Sequence, residues 1–333
     1  PGEIMYNQSG YKPGSYKHCV NPSVIIDSLH VFCNQTDQLV YKCTIDLIAG
    51  DMGKYITADF SALKEPGYYY LYSAGLKSKP FEIDEDILKN QIRMHLEYLK
   101  SLRNCGNIST DNFINARRDD KDIIQQTGNS WFHSFESGLS SATAVQLLYA
   151  LSVVKERNYA GLTDSLSEQE ILAGNRFLRS MLEPEGYLMH SVHLSDSSKN
   201  NSPGSGIDFS IHTKPAPVSA QFLYSLTLAK LSGIQGTGTS ESKVYLTTAE
   251  KCFQWTCSGF SDFTPWELGT AIGSACELYK RTNKTYYKLA ADNYLNILLS
   301  QIKYKQDASD EQTHFIFNPY TDPSKEIFPS VWT

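Results

Sequence analysis

The sequence lacks the positive charge and the long apolar runs that would indicate a nucleic-acid-binding or membrane protein. Its 333 residues carry 30 basic and 36 acidic side chains, which gives a formal net charge of −6 at pH 7. A chain with that balance has no positive field to attract nucleic acid or an anionic membrane surface, so we expect neither partner. No apolar run approaches the roughly 20 residues of a membrane-spanning helix, so we expect no membrane span.

The seven cysteines lack the paired spacing of a zinc site. Cys252 and Cys257 are close in sequence, but no second pair of cysteines or histidines follows them. Cys33 and Cys43 flank a predicted strand–turn–strand, where a cross-strand disulfide is sterically allowed, and Cys19 is a competing partner for either. Ordinary buried thiols are the alternative. The odd count leaves at least one thiol unpaired or shared with another chain.

Other catalytic signatures are also missing. The sequence contains no Gly-x-Ser-x-Gly elbow and no phosphate-binding glycine loop followed by Lys. Asp119, Asp120 and Asp122 lack the Gly and the terminal Glu of a calcium loop. His190 and His193 have the spacing of a metal pair without a third ligand, so we expect them to line a groove or to make ordinary polar contacts. We therefore predict no metal and no cofactor.

The cellular location rests on weak signals. Five Asn-x-Ser/Thr sequons are compatible with a secreted glycoprotein, although a Ser- and Asn-rich chain contains such triplets by chance. They begin at Asn7, Asn34, Asn107, Asn200 and Asn283. The sequence starts at Pro1 without a basic and apolar leader, so we expect a signal peptide to have been removed or never to have existed. We predict a secreted or extracellular protein, with the cell surface and the periplasm as alternative locations.

Residues 1–84 predict a small β-sandwich. Short runs rich in β-branched and aromatic residues alternate with turn signals such as Asn21-Pro22 and Pro66-Gly67. Several short strands at this spacing are typical of a sandwich. The predicted strands are Tyr16–Val20, Leu29–Cys33, Leu39–Ile45, Tyr55–Phe60 and Tyr68–Tyr72.

Residues 85–333 predict helices joined by irregular loops, arranged as α/α hairpins. Asp84 is a plausible N-cap for the first helix, and Ser167 with Glu170 has the pattern of a capping box. Ser195–Ser210 is a long loop rich in Ser, Asn and Gly. The other predicted helices are Leu139–Val154, Val218–Leu231, Lys243–Trp255, Trp266–Tyr279 and Tyr286–Ile302.

Several ordered segments resemble family 9 glycoside hydrolases. Asn7–Tyr11, followed by Lys17, is similar to the opening strand of the immunoglobulin-like domain that precedes many of these enzymes. The end of that domain resembles Ala58–Ser61, Pro66–Tyr69 and Ser78–Ile83. The helical hairpins of the family resemble Ile171–Val192, Pro217–Leu231 and Glu277–Tyr287. The resemblance implies an immunoglobulin-like β-sandwich followed by an all-α (α/α) toroid of the six-hairpin type. We count about four hairpins, so we expect the toroid to be incomplete.

The family carries its catalytic base in a Trp-Tyr-Asp-Ala-Gly-Asp-like motif, and Trp131–Gly138 is the matching segment. His133 occupies the position of the first Asp, and Glu136 occupies the position of the base. Glu136 keeps a carboxylate on an arm one methylene longer, and His133 can position water as a neutral imidazole. The resemblance implies inverting hydrolysis by two carboxyl groups roughly 6.5–9.5 Å apart. The alternative is that Glu136 only caps the helix that follows.

The general acid of the family has no counterpart in this sequence. The last carboxylates, in a polar tail, do not match the acid motif. They are Asp307, Asp310, Glu311, Asp322 and Glu326. Aromatic and imidazole side chains near predicted helix ends are candidates for stacking on pyranose rings, with core packing as the alternative for each aromatic residue. These candidates are Trp131, Phe132, Tyr187, His190 and Trp266.

Three functions remain open from the sequence. The first is an inverting, endoglucanase-like hydrolase of a β-linked polysaccharide, with an impaired or atypical catalytic centre. The second is a non-catalytic, secreted glycan-binding or structural protein on the same scaffold. The third is an assembly role for the immunoglobulin-like domain. We also expect a C-terminal segment or another subunit to pack on the last helices, Tyr286–Ile302, because an open toroid exposes an apolar flank.

Overall fold

The computed structural model describes residues 3–21, 28–50, 53–103, 113–128, 130–131, 138–157, 165–194, 209–236, 238–305 and 314–317. The chain folds into two compact units, Pro1–His95 and Leu96–Thr333. The sequence predicts a domain boundary after residue 84, and the first helix, Ile87–Leu102, crosses the boundary between the compact units.

The first unit is built from two antiparallel sheets. One sheet has the order β1-β2-β6-β5, and the other has the order β4-β3-β7-β8, with β9 also paired to β7. Along β6, Ile56 and Ala58 alternate with more exposed residues, as expected for a strand with one face in a core. The strands are β1 Met5–Tyr6, β2 His18–Asn21, β3 His30–Cys33, β4 Leu39–Lys42, β5 Thr44–Gly50, β6 Gly53–Asp59, β7 Gly67–Ser73, β8 Leu76–Lys77 and β9 Phe81–Ile83.

The core of this unit is aromatic and aliphatic. Phe60, Leu71 and Val31 are fully buried, and the ring of Tyr11 packs edge-on against Phe60 and Phe81. The sandwich predicted from the sequence is therefore confirmed. One detail was wrong: the run predicted as a single strand at residues 39–45 is two strands, β4 and β5, in different sheets. The chain changes sheet at Cys43, whose N–H donates to the carbonyl of Leu29.

All described cysteines are free thiols, so the disulfide considered between Cys33 and Cys43 is not formed. The register of the β3–β4 hairpin explains this. Cys33 N–H donates to the carbonyl of Gln38, next to the turn, whereas Cys43 bonds to Leu29 at the opposite end of the hairpin. Cys19 is buried in the core, where loss of water contact raises the pKa of its thiol to about 12.

The second unit contains antiparallel helical hairpins. In the hairpin of α4 and α5, Ser225 donates to the carbonyl of Ala249, and Ser242 donates to the carbonyl of Ser232, so the chain direction reverses. The predicted helices are confirmed to within a few residues at each end. The helices are α1 Ile87–Leu102, α2 Ser141–Glu156, α3 Ser165–Ser180, α4 Val218–Ile234, α5 Ser240–Gly259, α6 Pro265–Thr282 and α7 Thr285–Gln301.

Three helices form an inner layer. Helix α4 packs against both α2 and α6, while α3, α5 and α7 pack on the outside as the second helices of their hairpins. In α4, 12 of 17 residues are buried. A helix that is apolar on nearly every side is expected in such an inner position.

The prediction that this unit contains only helices and irregular loops was wrong. A five-stranded sheet of order β11-β10-β14-β13-β12 also belongs to it, with β10 and β14 parallel and the other pairs antiparallel. The last two residues of the predicted long loop belong to β14, and the rest of that loop lies outside the described residues. The strands are β10 Ile114–Arg118, β11 Ile124–Thr127, β12 Leu139–Ser140, β13 Met189–Leu194 and β14 Phe209–Pro215, with a separate hairpin of β15 Ile302–Lys305 and β16 His314–Phe317.

The predicted capping box of Ser167 and Glu170 was also wrong. Helix α3 begins at Ser165, so Ser167 lies within its first turn, and Glu170 faces the interior instead of the helix end. A capping box does occur at α6. There Thr264 Oγ1 accepts from Glu267 N–H, and a Glu267 carboxylate oxygen accepts from Thr264 N–H.

Candidate functional site

The three inner helices end together at their C-termini. Lys230, near the end of α4, lies 2.5 Å from the carboxylate of Glu156, the last residue of α2. Arg281, near the end of α6, lies 3.8 Å from the same carboxylate and 2.5 Å from Glu277. Because residues from the last turns of all three helices meet here, α2, α4 and α6 run parallel.

This C-terminal end is closed by charge pairs. The hydrogen bond from Lys230, with the nearby charges of Lys280 and Arg281, lowers the pKa of Glu156. The guanidinium of Arg281 occupies the place where a Cβ would stand on Gly233, so α4 and α6 approach closely at this glycine. The carboxylates at this end are therefore engaged in holding the helices together.

The opposite end carries the strands of the five-stranded sheet. Strand β12 continues directly into α2, and β14 ends shortly before α4 begins, so the sheet lies at the N-termini of these two helices. Helix α6 begins at the same end with Pro265 and Trp266. We call this end the mouth, defined by the N-termini of α2, α4 and α6 and by strands β12–β14.

Trp131, at the start of the motif segment, is held in the interior. Its side chain is 3% exposed, and its Nε1–H donates to a carboxylate oxygen of Glu170 over 2.8 Å. Glu170 is fully buried and forms an ion pair of 2.8 Å with Arg103. The indole ring lies so close to Gly174 that a side chain there would collide with it. Of the two roles considered for Trp131, the contacts correspond to core packing.

Gly138, at the other end of the motif segment, is fixed against β13. Its φ is +73°, and an added Cβ would collide with the carbonyl of Val192 and come within 2.7 Å of the His193 Cα. Only glycine is accommodated without strain in this conformation and contact. Phe132, His133 and Glu136 lie outside the described residues. The chain on either side of them is therefore anchored, to α3 at Trp131 and to β13 at Gly138.

Three histidines lie together on β13 and β14. The ring centroid of His212 is 5.4 Å from that of His190 and 6.2 Å from that of His193. His193 Nε2 is 2.9 Å from Ser210 Oγ. Loss of water contact, followed by the charge of His212, lowers the pKa of both His190 and His193. These two imidazoles are consequently neutral at pH 7 and can donate and accept hydrogen bonds.

A carboxylate is fixed beside this cluster. One oxygen of Asp119 accepts hydrogen bonds from Thr213 N–H at 3.0 Å and from Thr213 Oγ1–H at 2.5 Å. Its other oxygen is 3.6 Å from His212 Nε2. Partial burial by itself would raise the pKa of Asp119, but the bonds from Thr213 and the charge of His212 outweigh it, so the pKa is lowered. Asp119 is therefore an ionised group close to the imidazole of His212.

Aromatic side chains form the remaining surface of the mouth. Tyr187 is half-buried, and its ring centroid lies 4.7 Å from that of Trp255, near the end of α5. Phe260 packs edge-on against Trp255. Trp266 is half-buried in the first turn of α6, and the side chain of His190 is exposed.

The sequence indicated some of these residues and missed others. Tyr187, His190 and Trp266 were predicted and lie at the mouth. Trp255 was missed because it lies at the end of the predicted helix Lys243–Trp255, where an aromatic residue is readily explained by helix packing. His212 and its contact with Asp119 were missed because the two residues are brought together by the parallel pairing of β10 and β14. These strands are far apart in the chain, so no local sequence pattern predicts their pairing.

Among the described ranges, no group of three or more His, Cys, Asp or Glu side chains is arranged to hold a metal ion. Within the same part of the chain, no helix is long and apolar enough to cross a membrane.

No family model matches the sequence, and no curated protein matches it significantly. Solved structures do match. A metagenome-derived family 9 endoglucanase aligns with a TM-score of 0.64 and 15% identity over 89% of this chain and 64% of its own. The chain has the fold of family 9 glycoside hydrolases. A mutant of the thermostable endoglucanase from Alicyclobacillus acidocaldarius aligns with a TM-score of 0.63 and 14% identity. The alignment covers 89% of this chain and 62% of the endoglucanase. A family 9 protein from Bacteroides ovatus aligns with a TM-score of 0.59 and 16% identity, over 87% of this chain and 64% of its own.

This likeness establishes the family 9 fold, and at such identity it establishes the fold alone. The chain spans less than two thirds of the length of these solved structures. The immunoglobulin-like sandwich and the helical hairpins expected from the resemblance are confirmed. In the described residues we find three complete hairpins, α2–α3, α4–α5 and α6–α7, against the four counted from the sequence.

Proposed function

We propose that the protein binds a β-linked polysaccharide at the mouth. The proposal rests on the side chains that lie together at the mouth of this family 9 fold. They are three aromatic residues, Tyr187, Trp255 and Trp266, and the three histidines of β13 and β14. Aromatic faces suit the apolar faces of pyranose rings, and the neutral imidazoles of His190 and His193 suit their hydroxyl groups. The family 9 endoglucanases with this fold support a polysaccharide as the ligand.

We further propose that the mouth has an atypical catalytic centre with Glu136 as the base. In this proposal Glu136 removes a proton from water while water attacks the anomeric carbon, and an acid protonates the departing oxygen. In the sequence Glu136 stands two residues before Gly138, which lies against Val192 and His193 of β13. His133, in the same segment, is proposed to position the water.

The acid of this mechanism is proposed to be His212. It lies at the mouth, and its Nε2 is 3.6 Å from a carboxylate oxygen of Asp119. In one turnover the proton of His212 passes to the glycosidic oxygen, and the proton of the attacking water passes to Glu136. The two groups then exchange a proton through solvent, and no co-reactant other than water is consumed.

The experiment is the release of reducing sugar from soluble β-1,4-glucan by the wild type and by Glu136→Gln. Glu168→Gln is the matched control, because Glu168 is an exposed carboxylate on α3 beside the C-terminal part of α2. The proposal expects activity in the wild type and the control and a loss of at least about a hundredfold in Glu136→Gln. Proton NMR of the first products should show inversion at the anomeric carbon.

A non-catalytic glycan-binding protein is the second candidate. It is favoured by the motif, in which His133 and Glu136 replace the two family aspartates. Glycan binding without hydrolysis in the wild type would select this candidate, whereas neither binding nor hydrolysis would reject both. Affinity electrophoresis in gels containing β-glucan measures the binding separately from the activity.

We also propose that a further helical segment covers α7, either a C-terminal segment of the protein or another subunit. Helix α7 exposes a set of large apolar side chains that a solvated helix rarely carries. They are Tyr286, Leu289, Leu295, Ile297 and Leu299. Light scattering should show self-association of the 333-residue chain, reduced in Leu289→Lys with Leu295→Lys. A monodisperse monomer would contradict this proposal.

A polysaccharide ligand makes an extracellular location part of the same proposal. Among the described residues, the sequon asparagines Asn7, Asn34 and Asn283 are exposed, and the side-chain amide of Asn7 also donates to the carbonyl of Gly10. Expression in a glycosylating host should therefore give a protein whose mobility increases after glycosidase treatment. Asn34→Gln with Asn283→Gln should remove most of that shift.

A further inference from the structure

A cavity of about 210 Å³ lies between α3, α4 and α5, and none of the residues of the mouth line it. Its floor is α4, which contributes Tyr224 and Leu228. Helix α3 contributes Arg179, and α5 contributes Val244 and Tyr245. A space of this size holds several water molecules or one small organic molecule.

The hydroxyl group of Tyr224 is an unpaired polar group in this cavity. The side chain is fully buried, and its oxygen has no hydrogen-bond partner in the part of the chain that the structure describes. Burial raises the pKa of Tyr224 well above its ordinary value, so the group is a neutral hydroxyl with a proton to donate. Buried hydroxyls in folded proteins nearly always have a partner, because leaving one unpaired is costly.

Arg179 supplies a cation to the same space. Among the described residues, its guanidinium forms neither a hydrogen bond nor an ion pair, and its charge acts on both Tyr224 and Tyr245. The third polar group, Tyr245, is already satisfied, since its hydroxyl accepts from Asn175 Nδ2 at 3.0 Å and donates to Glu241 Oε1 at 2.7 Å. The lining also includes Thr248, so a ligand meets the guanidinium of Arg179, which only donates, and hydroxyl groups that can donate or accept.

We propose that this cavity binds a small organic monocarboxylate. Its two carboxylate oxygens would take the N–H groups of Arg179 and the O–H of Tyr224, and its short tail would lie against Leu182, Leu228 and Val244. Charge-assisted hydrogen bonds from arginine are the strongest that such a site can offer an anion. A single cation matches one negative charge better than the two of a phosphate.

The test uses the full chain with butyrate as the probe and 1-butanol as its neutral analogue, at constant ionic strength. Ligand-dependent stabilisation is measured from the midpoint of thermal unfolding as a function of probe concentration. Arg179→Met and Tyr224→Phe remove the two proposed donors. Arg176→Met, on the same helix with its guanidinium over the ring of Phe113, is the matched control.

We expect saturable stabilisation by butyrate in the wild type and in Arg176→Met, with the affinity lowered at least about tenfold in Arg179→Met and in Tyr224→Phe. Butanol should have no saturable effect. The proposal is overturned if butyrate does not saturate, if butanol acts equally well, or if Arg179→Met responds as the wild type does. Circular dichroism confirms that each variant is folded before its response is interpreted.

Discussion

The two ends of the parallel helices α2, α4 and α6 use their polar residues in opposite ways. At the C-terminal end, Glu156, Lys230 and Arg281 are paired with one another across three helices. At the mouth, the imidazoles of His190 and His212 are partly exposed to solvent, and aromatic rings are only half-buried. Charges that satisfy each other stabilise the fold, whereas groups left with free hydrogen-bonding capacity are available to a ligand.

The largest expected effect concerns the interior support of the mouth. Arg103→Leu leaves the buried carboxylate of Glu170 without its cation, and Trp131 loses a well-oriented acceptor. We expect the free energy of unfolding to fall by about 3–5 kcal/mol, measured by urea denaturation. Lys155→Leu is the control, because its partner Glu168 is exposed, and it should cost less than about 1 kcal/mol. Equal effects of the two substitutions would contradict the structure.

Two glycines with positive φ are expected to differ in how much a substitution by Ala destabilises the protein. Gly138 and Gly236 both have positive φ, but only Gly138 also has no room for a side chain. Gly236→Ala should cost about 1 kcal/mol from backbone strain alone. Gly138→Ala adds a collision with β13, so we expect about 2–3 kcal/mol and a loss of glycan binding. Urea denaturation and affinity electrophoresis measure the two effects, and equal costs would disprove the tight contact.

Tyrosines at the two ends of the parallel helices are expected to differ in their effect on ligand affinity. Tyr187→Ala removes a ring that stacks with Trp255 at the mouth, so we expect β-glucan affinity to fall about tenfold. Tyr279→Ala removes a comparably exposed tyrosine near the C-terminal end of α6 and should leave the affinity unchanged. If both variants bind alike, the glycan does not occupy the mouth.

The smallest effect is expected at the C-terminal end. Lys230→Ala removes the main partner of Glu156 and should cost about 0.5–1 kcal/mol at pH 7, with no change in glycan affinity. Because the pKa of Glu156 is lowered in the folded state, its contribution is complete above the unfolded pKa of about 4.3 and is lost as the pH falls through the folded pKa. Urea denaturation should therefore show a larger difference between the variant and the wild type at pH 7 than at pH 3.

Local patterns in the sequence were sufficient where local forces determine the structure. The short run rich in β-branched and aromatic residues at Tyr55–Phe60 predicted β6, and local patterns predicted helices close to α2 and α4–α7. The pattern of Ser167 and Glu170 misled because a tertiary partner, Arg103, draws the Glu170 carboxylate inward. The sheet at the mouth was missed because its parallel pair joins Ala116 to Phe209, far apart in the chain.

The parallel direction of α2, α4 and α6 has an electrostatic consequence for the mouth. Each helix contributes a macrodipole whose positive end is its N-terminus, and three such ends face the same region. Their combined field favours anions, so a carboxylate at the mouth is held in its ionised form and a proton on it is disfavoured. In the proposed mechanism this field would assist Glu136 as an ionised base, while the Asp119 carboxylate, 3.6 Å from His212, offsets the field at the proposed acid.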